Sequence, residues 1–177
     1  MSNLRLINET TVSSSVSEVN VTDVFSSDFD VYKIVGDDFS TASTTATESY
    51  LRFIDSNGIV IKSKYQFASW YIPADTGYSE IRDTNVSDTT QIHYATGNPD
   101  QAPDVAGCVL YVFNPVSTSY YTFEMGEQTA HYSNPRYLAS KGIGILEETF
   151  SITGFQFRFP SSNVSSGSIK TYGLRVD

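Results

Sequence analysis

A repeat of two residues governs this chain. Phe155, Phe157 and Phe159 alternate with Gln156 and Arg158, and Val19 and Val21 alternate with Glu18, Asn20 and Thr22. Successive side chains of an extended strand point to opposite faces, so each of these segments buries one face and wets the other. No window of about twelve residues carries a convincing helical period. The residues that usually build helices, Leu, Ala, Lys and Arg, are scarce beside 25 Ser and 18 Thr. The chain is expected to be all-β, an antiparallel β-sandwich of the jelly-roll kind.

About ten runs fit the pattern. They are Leu4–Ile7, Val16–Val24, Phe29–Val35, Tyr50–Ile54, Ile59–Lys62, Tyr65–Ile72, Thr90–Ala95, Cys108–Phe113, Tyr120–Met125 and two more at the C-terminus. Between Tyr50–Ile54 and Ile59–Lys62 stands Asp55-Ser56-Asn57-Gly58, whose Asn-Gly pair predicts a tight hairpin with positive φ angles. Ala74–Thr89 and Gly97–Asp104 carry Pro, Gly and Asp without periodicity and read as surface loops, where binding would sit. Thr10–Ser17 reads as an N-terminal linker and Ser40–Thr47 as a loop or frayed edge strand. At 177 residues the chain is one domain, with a short N-terminal arm over residues 1–15.

Composition closes several classes. Twenty Asp and Glu against 11 Lys and Arg give a net charge of -9, the wrong sign for a groove that tracks phosphates, so no nucleic-acid partner is expected. Cys108 is the single cysteine and cannot form an intrachain disulfide. The longest apolar run, Val105 to Phe113, falls short of the ~20 residues that span a bilayer. Met1 to Thr11 lacks a basic segment and a long apolar one, which predicts synthesis in a cytosol without Sec export. The four sequons at Asn8, Asn20, Asn85 and Asn163 are therefore read as chance in a Ser/Thr-rich chain.

No catalytic constellation stands out. A nucleophile needs a histidine oriented by a carboxylate, and the chain offers only His93 and His131, on separate strands and without zinc-site spacing. Cys108 lies in an apolar strand, where a small buried thiol is the plain reading. Asp55-Ser56-Asn57-Gly58 lacks the later oxygen ligands of a calcium loop. The pairs Asp37-Asp38, Asp28/Asp30 and Glu147-Glu148 could hold a surface calcium, and read more simply as solvated charge that protects strand edges. Gly142-Ile143-Gly144 has no third glycine and is not a nucleotide fingerprint. No cofactor, metal or catalytic residue is assigned. Candidate interface or ligand contacts are Trp70, Tyr71, Tyr120, Tyr121 and Phe123, aromatics that can stack on a sugar or fill an interface. Phe25, Phe29 and Tyr32 join Trp70, Tyr120 and Phe123 as core or interface residues.

The C-terminal pattern Ile152-Thr153-Gly154-Phe155-Gln156-Phe157-Arg158-Phe159, a Ser/Gly-rich turn over Ser161–Ser168 and a strand ending Tyr172-Gly173-Leu174 resembles the closing strand pair of a group of tailed-phage virion proteins. Val16–Val24, Phe29–Val35 and Tyr50–Phe53 with the Asn57-Gly58 turn resemble their opening strands, while Ala74–Ala139 matches nothing in them. The resemblance implies a non-enzymatic jelly-roll or sandwich module that acts in the virion, as a capsid decoration subunit or as part of a tail tip or fibre. Its expected partners are itself, as a homotrimer, and another virion protein such as the major capsid or a tail protein. On a tail fibre the partner would be a receptor or host surface glycan.

Overall fold

The computed structural model describes residues 3–45, 47–60, 62–74, 77–87, 89–95, 106–133 and 136–175. Among these residues there is no helix, and thirteen strands form two antiparallel sheets packed as a sandwich. The larger, sheet A, has the order β1 (Leu4–Val12), β13 (Val164–Leu174), β3 (Val31–Thr41), β9 (Ala106–Phe113), β10 (Thr122–Ser133), β11 (Arg136–Leu146), β6 (Tyr65–Pro73) and β7 (Ser79–Val86). The smaller, sheet B, runs β2 (Glu18–Val21), β12 (Ile152–Arg158) and β4 (Thr47–Asp55). The far edge of β4 pairs first with β8 (Thr89–Ala95) and then with β5 (Gly58–Ile59).

The expected all-β sandwich is present, and local expectations need revision. Ala74–Thr89 is not one loop, because Ser79–Val86 forms edge strand β7, which pairs with β6 from Tyr65↔Val86 to Tyr71↔Ser79. Its charged and polar residues do not alternate in hydropathy because it has a single neighbour and little surface to bury. Arg136–Leu146, assigned no strand from sequence, is β11. Thr10–Val12 belong to β1 and not to a linker, paired with Ile169, Ser168 and Gly167. Ser40 and Thr41 end β3, and Thr47 begins β4. Gly97–Asp104 lies outside the described residues. At the Asn57-Gly58 hairpin only Gly58 has a positive φ, 114°, while the Asn57 N–H donates to Asp55 Oδ1 at 2.7 Å.

The two-residue period becomes the core. Val19 and Val21 of β2 and Phe155 and Phe157 of β12 meet Tyr32, Ile34, Leu110, Val112 and Ile169 of sheet A, all buried. Each such side chain contributes roughly 1.5–3 kcal/mol by leaving water. Two buried tyrosines keep their hydroxyls satisfied. Tyr32 donates to the Ser26 carbonyl at 2.5 Å and accepts from the Ser26 N–H, and Tyr65 donates to the Val60 carbonyl and accepts from the Phe53 N–H, both at 3.0 Å.

A bulge completes this core. In β3, Asp37 and Asp38 together oppose one residue of β9, because Gly36 pairs with Cys108 and Phe39 with Ala106. Asp38 has a φ of 55°, and the extra residue turns Phe39 inward. The ring then stacks on Phe157, centroids 4.5 Å apart. It lies over two glycines: a Cβ at Gly36 would come 2.3 Å from a Phe39 ring carbon, and one at Gly167 would come 2.5 Å from another. Phe39→Ala is expected to lower unfolding free energy by about 3 kcal/mol, the usual cost of an emptied aromatic site. Phe123→Ala, on an exposed ring, should cost less than about 1 kcal/mol. Chemical denaturation of the two variants against the parent checks both values.

Candidate functional site

The two outer faces of the sandwich differ in chemistry. On sheet B, Asn20, Gln156 and Arg52 form one outward row and Glu18, Arg158 and Tyr50 the next. Gln156 Nε2 donates to Asn20 Oδ1 at 3.0 Å, and the Tyr50 hydroxyl to Glu48 Oε2 at 2.9 Å. These two rows are polar.

Sheet A presents the opposite. One row across its strands reads Leu4, Leu174, Val31, Phe113, Phe123 and Ile145. The next reads Leu6, Tyr172, Lys33, Tyr111, Met125 and Ile143, and continues through Ala68 to Arg82 at the β7 edge. Phe123 is 44% exposed, Met125 37% and Ile143 58%. A groove of about 730 Å³ opens here between Phe113, Phe123, Met125, Ile143 and Ile145. A third row is mixed, with Glu9 paired to Lys170, Glu127 to Lys141, and Trp70 between Lys141 and Glu80. A second groove, about 660 Å³, runs along it past Trp70, Asp37, Glu127 and Lys141.

The five candidate contact residues do not form one cluster. Trp70 and Phe123 share the outer face of sheet A, two strands and two rows apart. Tyr71 follows Trp70 in β6 and so points to the other side of the sheet. Tyr120 and Tyr121 lie in the connection from β9 to β10, where the Tyr120 N–H donates to Ser117 Oγ and Tyr121 is 42% exposed. Of the residues left undivided between core and interface, Phe25 and Tyr32 are core with Phe29 packed against it, and Trp70, Tyr120 and Phe123 are exposed. Tyr111, Met125, Ile143 and Ile145 were missed. Their signal was alternation in β11, where Ile143 and Ile145 alternate with Gly142 and Gly144, so that the small residues face inward and the apolar ones outward.

That inversion has a cause inside the sandwich. The inner face of β10, β11 and β6 holds Gly126, Gly142, Gly144, Ser69 and Ser140, and β8 of sheet B lies against these three strands. Small side chains let its backbone approach. Glu124 and Gln128, 1% and 5% exposed, lie on the same inner face.

Cys108 faces inward from β9, opposite Gly36 and Gln128. Burial pushes its thiol up from 9.0 to about 12; a hydrogen bond at Gly36 opposes this, and the carboxylates of Glu124 and Asp37 add to it. These are the wrong conditions for a nucleophile, which needs a stabilised thiolate. His131 is buried with its ring 4.9 Å from Tyr137, while His93 belongs to β8 and its side chain lies outside the described residues. Among the described residues, no three of His, Cys, Asp and Glu gather to hold a metal ion. Two of the paired carboxylates have other contacts: Asp37 accepts from the Asp38 N–H, and Glu148 lies 3.6 Å from Lys62.

At pH 8 the Cys108 thiolate fraction should be about a thousandfold below that of a free thiol, so a disulfide reagent should label it only after unfolding. Because the folded chain keeps a proton that the unfolded chain releases above pH 9.0, stability should fall as pH rises from there toward about 12. Between pH 8 and 10 this loss is about 1 kcal/mol, and denaturation of Cys108→Ala should lack it.

No family model, no curated protein and no solved structure matches this chain.

Proposed function

We propose that the chain is a non-enzymatic structural subunit of a tailed-phage particle, made in the host cytoplasm and assembled on the capsid surface as a decoration or cement subunit. The observation that carries the assembly role is the contrast between the two outer faces. The described outward rows of sheet B are polar, whereas two rows on sheet A expose Leu4, Leu6, Phe123, Met125 and Ile143 side by side, the kind of apolar surface that marks a contact site. The inaccessible, proton-retaining thiol of Cys108 supports the non-enzymatic part. The phage setting rests on the resemblance of the terminal strands.

A second reading has its own observation. Trp70, 42% exposed, stands beside Lys141 and Glu80 along the 660 Å³ groove, an aromatic plate flanked by hydrogen-bonding groups of the kind that receives a sugar ring. It places the module on a tail fibre or tip, bound to a host glycan.

Incubation of purified protein with phage particles lacking it, imaged by electron microscopy, separates the two. Decoration predicts a regular lattice over the shell. Binding at the tail or to host cells alone, together with sugar-dependent quenching of Trp70 fluorescence, supports the fibre reading, and binding to none of them defeats both.

A further inference from the structure

We infer that the outer face of sheet A is covered by a second copy of this chain, a deduction that rests on the assembly reading and names its contact surface and partner. The occupant follows first from charge. The described outward side chains of sheet A include four cations, Lys33, Arg82, Lys141 and Lys170, and four carboxylates, Glu9, Asp37, Glu80 and Glu127, with the exposed Asp38 beside Asp37 in the β3 bulge. Among the described residues the face is close to neutral, in a chain whose net charge is -9. A basic partner would be drawn to that negative charge and gain little from a near-neutral apolar sheet. Another copy, itself acidic, is repelled from every surface except a neutral one.

Three of the carboxylates are already matched within the face, Glu9 to Lys170 at 3.4 Å, Glu127 to Lys141 at 2.8 Å and Glu80 to Arg82 at 3.8 Å. Lys33 stands among Tyr172, Tyr111 and Val31 with no ion pair among the described residues. It is the one cation within the two apolar rows short of the sheet edge, and an incoming copy can place one of its surplus carboxylates there. Size agrees. Eight strands about 4.8 Å apart, each presenting about six residues at about 3.4 Å, span about 800 Å², the area that each partner of a stable complex buries. The flat rows of Phe113, Phe123, Met125 and Ile143 supply its apolar centre.

Light scattering on the full chain over a range of concentrations tests this, with Trp70 as an internal reporter on the same face. The parent should show a mass that is a multiple of 19.6 kDa and a blue shift of Trp70 emission as it associates. Met125→Glu and Ile143→Lys each place a charge on an exposed position of the face, so the fold should persist while self-association weakens at least tenfold. Circular dichroism and thermal unfolding verify that persistence, and Glu18→Lys on sheet B should leave the mass unchanged. A parent that stays at 19.6 kDa at every concentration, or an oligomer that survives both substitutions in folded protein, overturns the inference. A monomer that still decorates particles removes this contact and leaves the assembly reading standing, whereas a self-associating protein that binds no particle does the reverse.

Discussion

Everything in this sandwich hangs on the phenylalanines that β12 presents to the larger sheet. Phe157 stacks on Phe39 and meets Phe159 edge-on at 5.3 Å, while Phe155 lies 6.0 Å from Phe25, whose ring sits against Tyr32 at 4.7 Å. These rings are the largest apolar surfaces brought between the sheets, and other features accommodate them. The Asp37-Asp38 bulge exists to aim Phe39, and the bare backbones of Gly36 and Gly167 leave the volume its ring fills. A bulge costs ladder hydrogen bonds, and the burial of a whole aromatic ring more than offsets that loss.

The other half of the molecule obeys a different constraint. Where β8 packs against β10, β11 and β6, glycine and serine stand at Gly126, Gly142, Gly144, Ser69 and Ser140 on an inner face whose buried apolar residues include Tyr65, Ala130, Leu138 and Leu146. Phe123, Met125, Ile143 and Ile145 of these strands are on the outside. A chain with 40% hydrophobic residues could have buried them by the reverse register, and a one-residue slip would do so at the cost of forcing Ile143 and Ile145 against β8. The register found keeps β8 close and leaves Ile143 and Ile145 on the sheet's outer surface, the feature on which the proposed assembly role rests.

How much of this could be read from the chain depended on which face a segment buries. Phe155, Phe157, Val19 and Val21 alternate with polar neighbours, and their strands and core role were legible. β11 was not, because over 142–145 its inward residues are glycines and its outward ones isoleucines, which reverses the usual signal and made Gly142-Ile143-Gly144 look like a poor nucleotide loop. β7 was hidden for another reason: an edge strand rich in charge has no periodicity to detect. Trp70 and Phe123 were picked out as aromatics with a contact to make, but Tyr71 was grouped with Trp70 by adjacency, although neighbours in a strand face opposite ways. The outer surface of sheet A escaped notice because it is assembled from six strands distant in sequence.

The strand order also ties β1 to β3 only through β13, and β2 to β4 only through β12. The first four strands off the ribosome therefore have no permanent neighbours among themselves. β3 and β4 gain β9 and β5 on their other sides, but β1 and β2 have no strand partner until β13 and β12 slot in beside them. Closure of both sheets therefore depends on the two strands that come latest in the order, and an intermediate lacking them, with Val19 uncovered, is the species a chaperone would have most to hold.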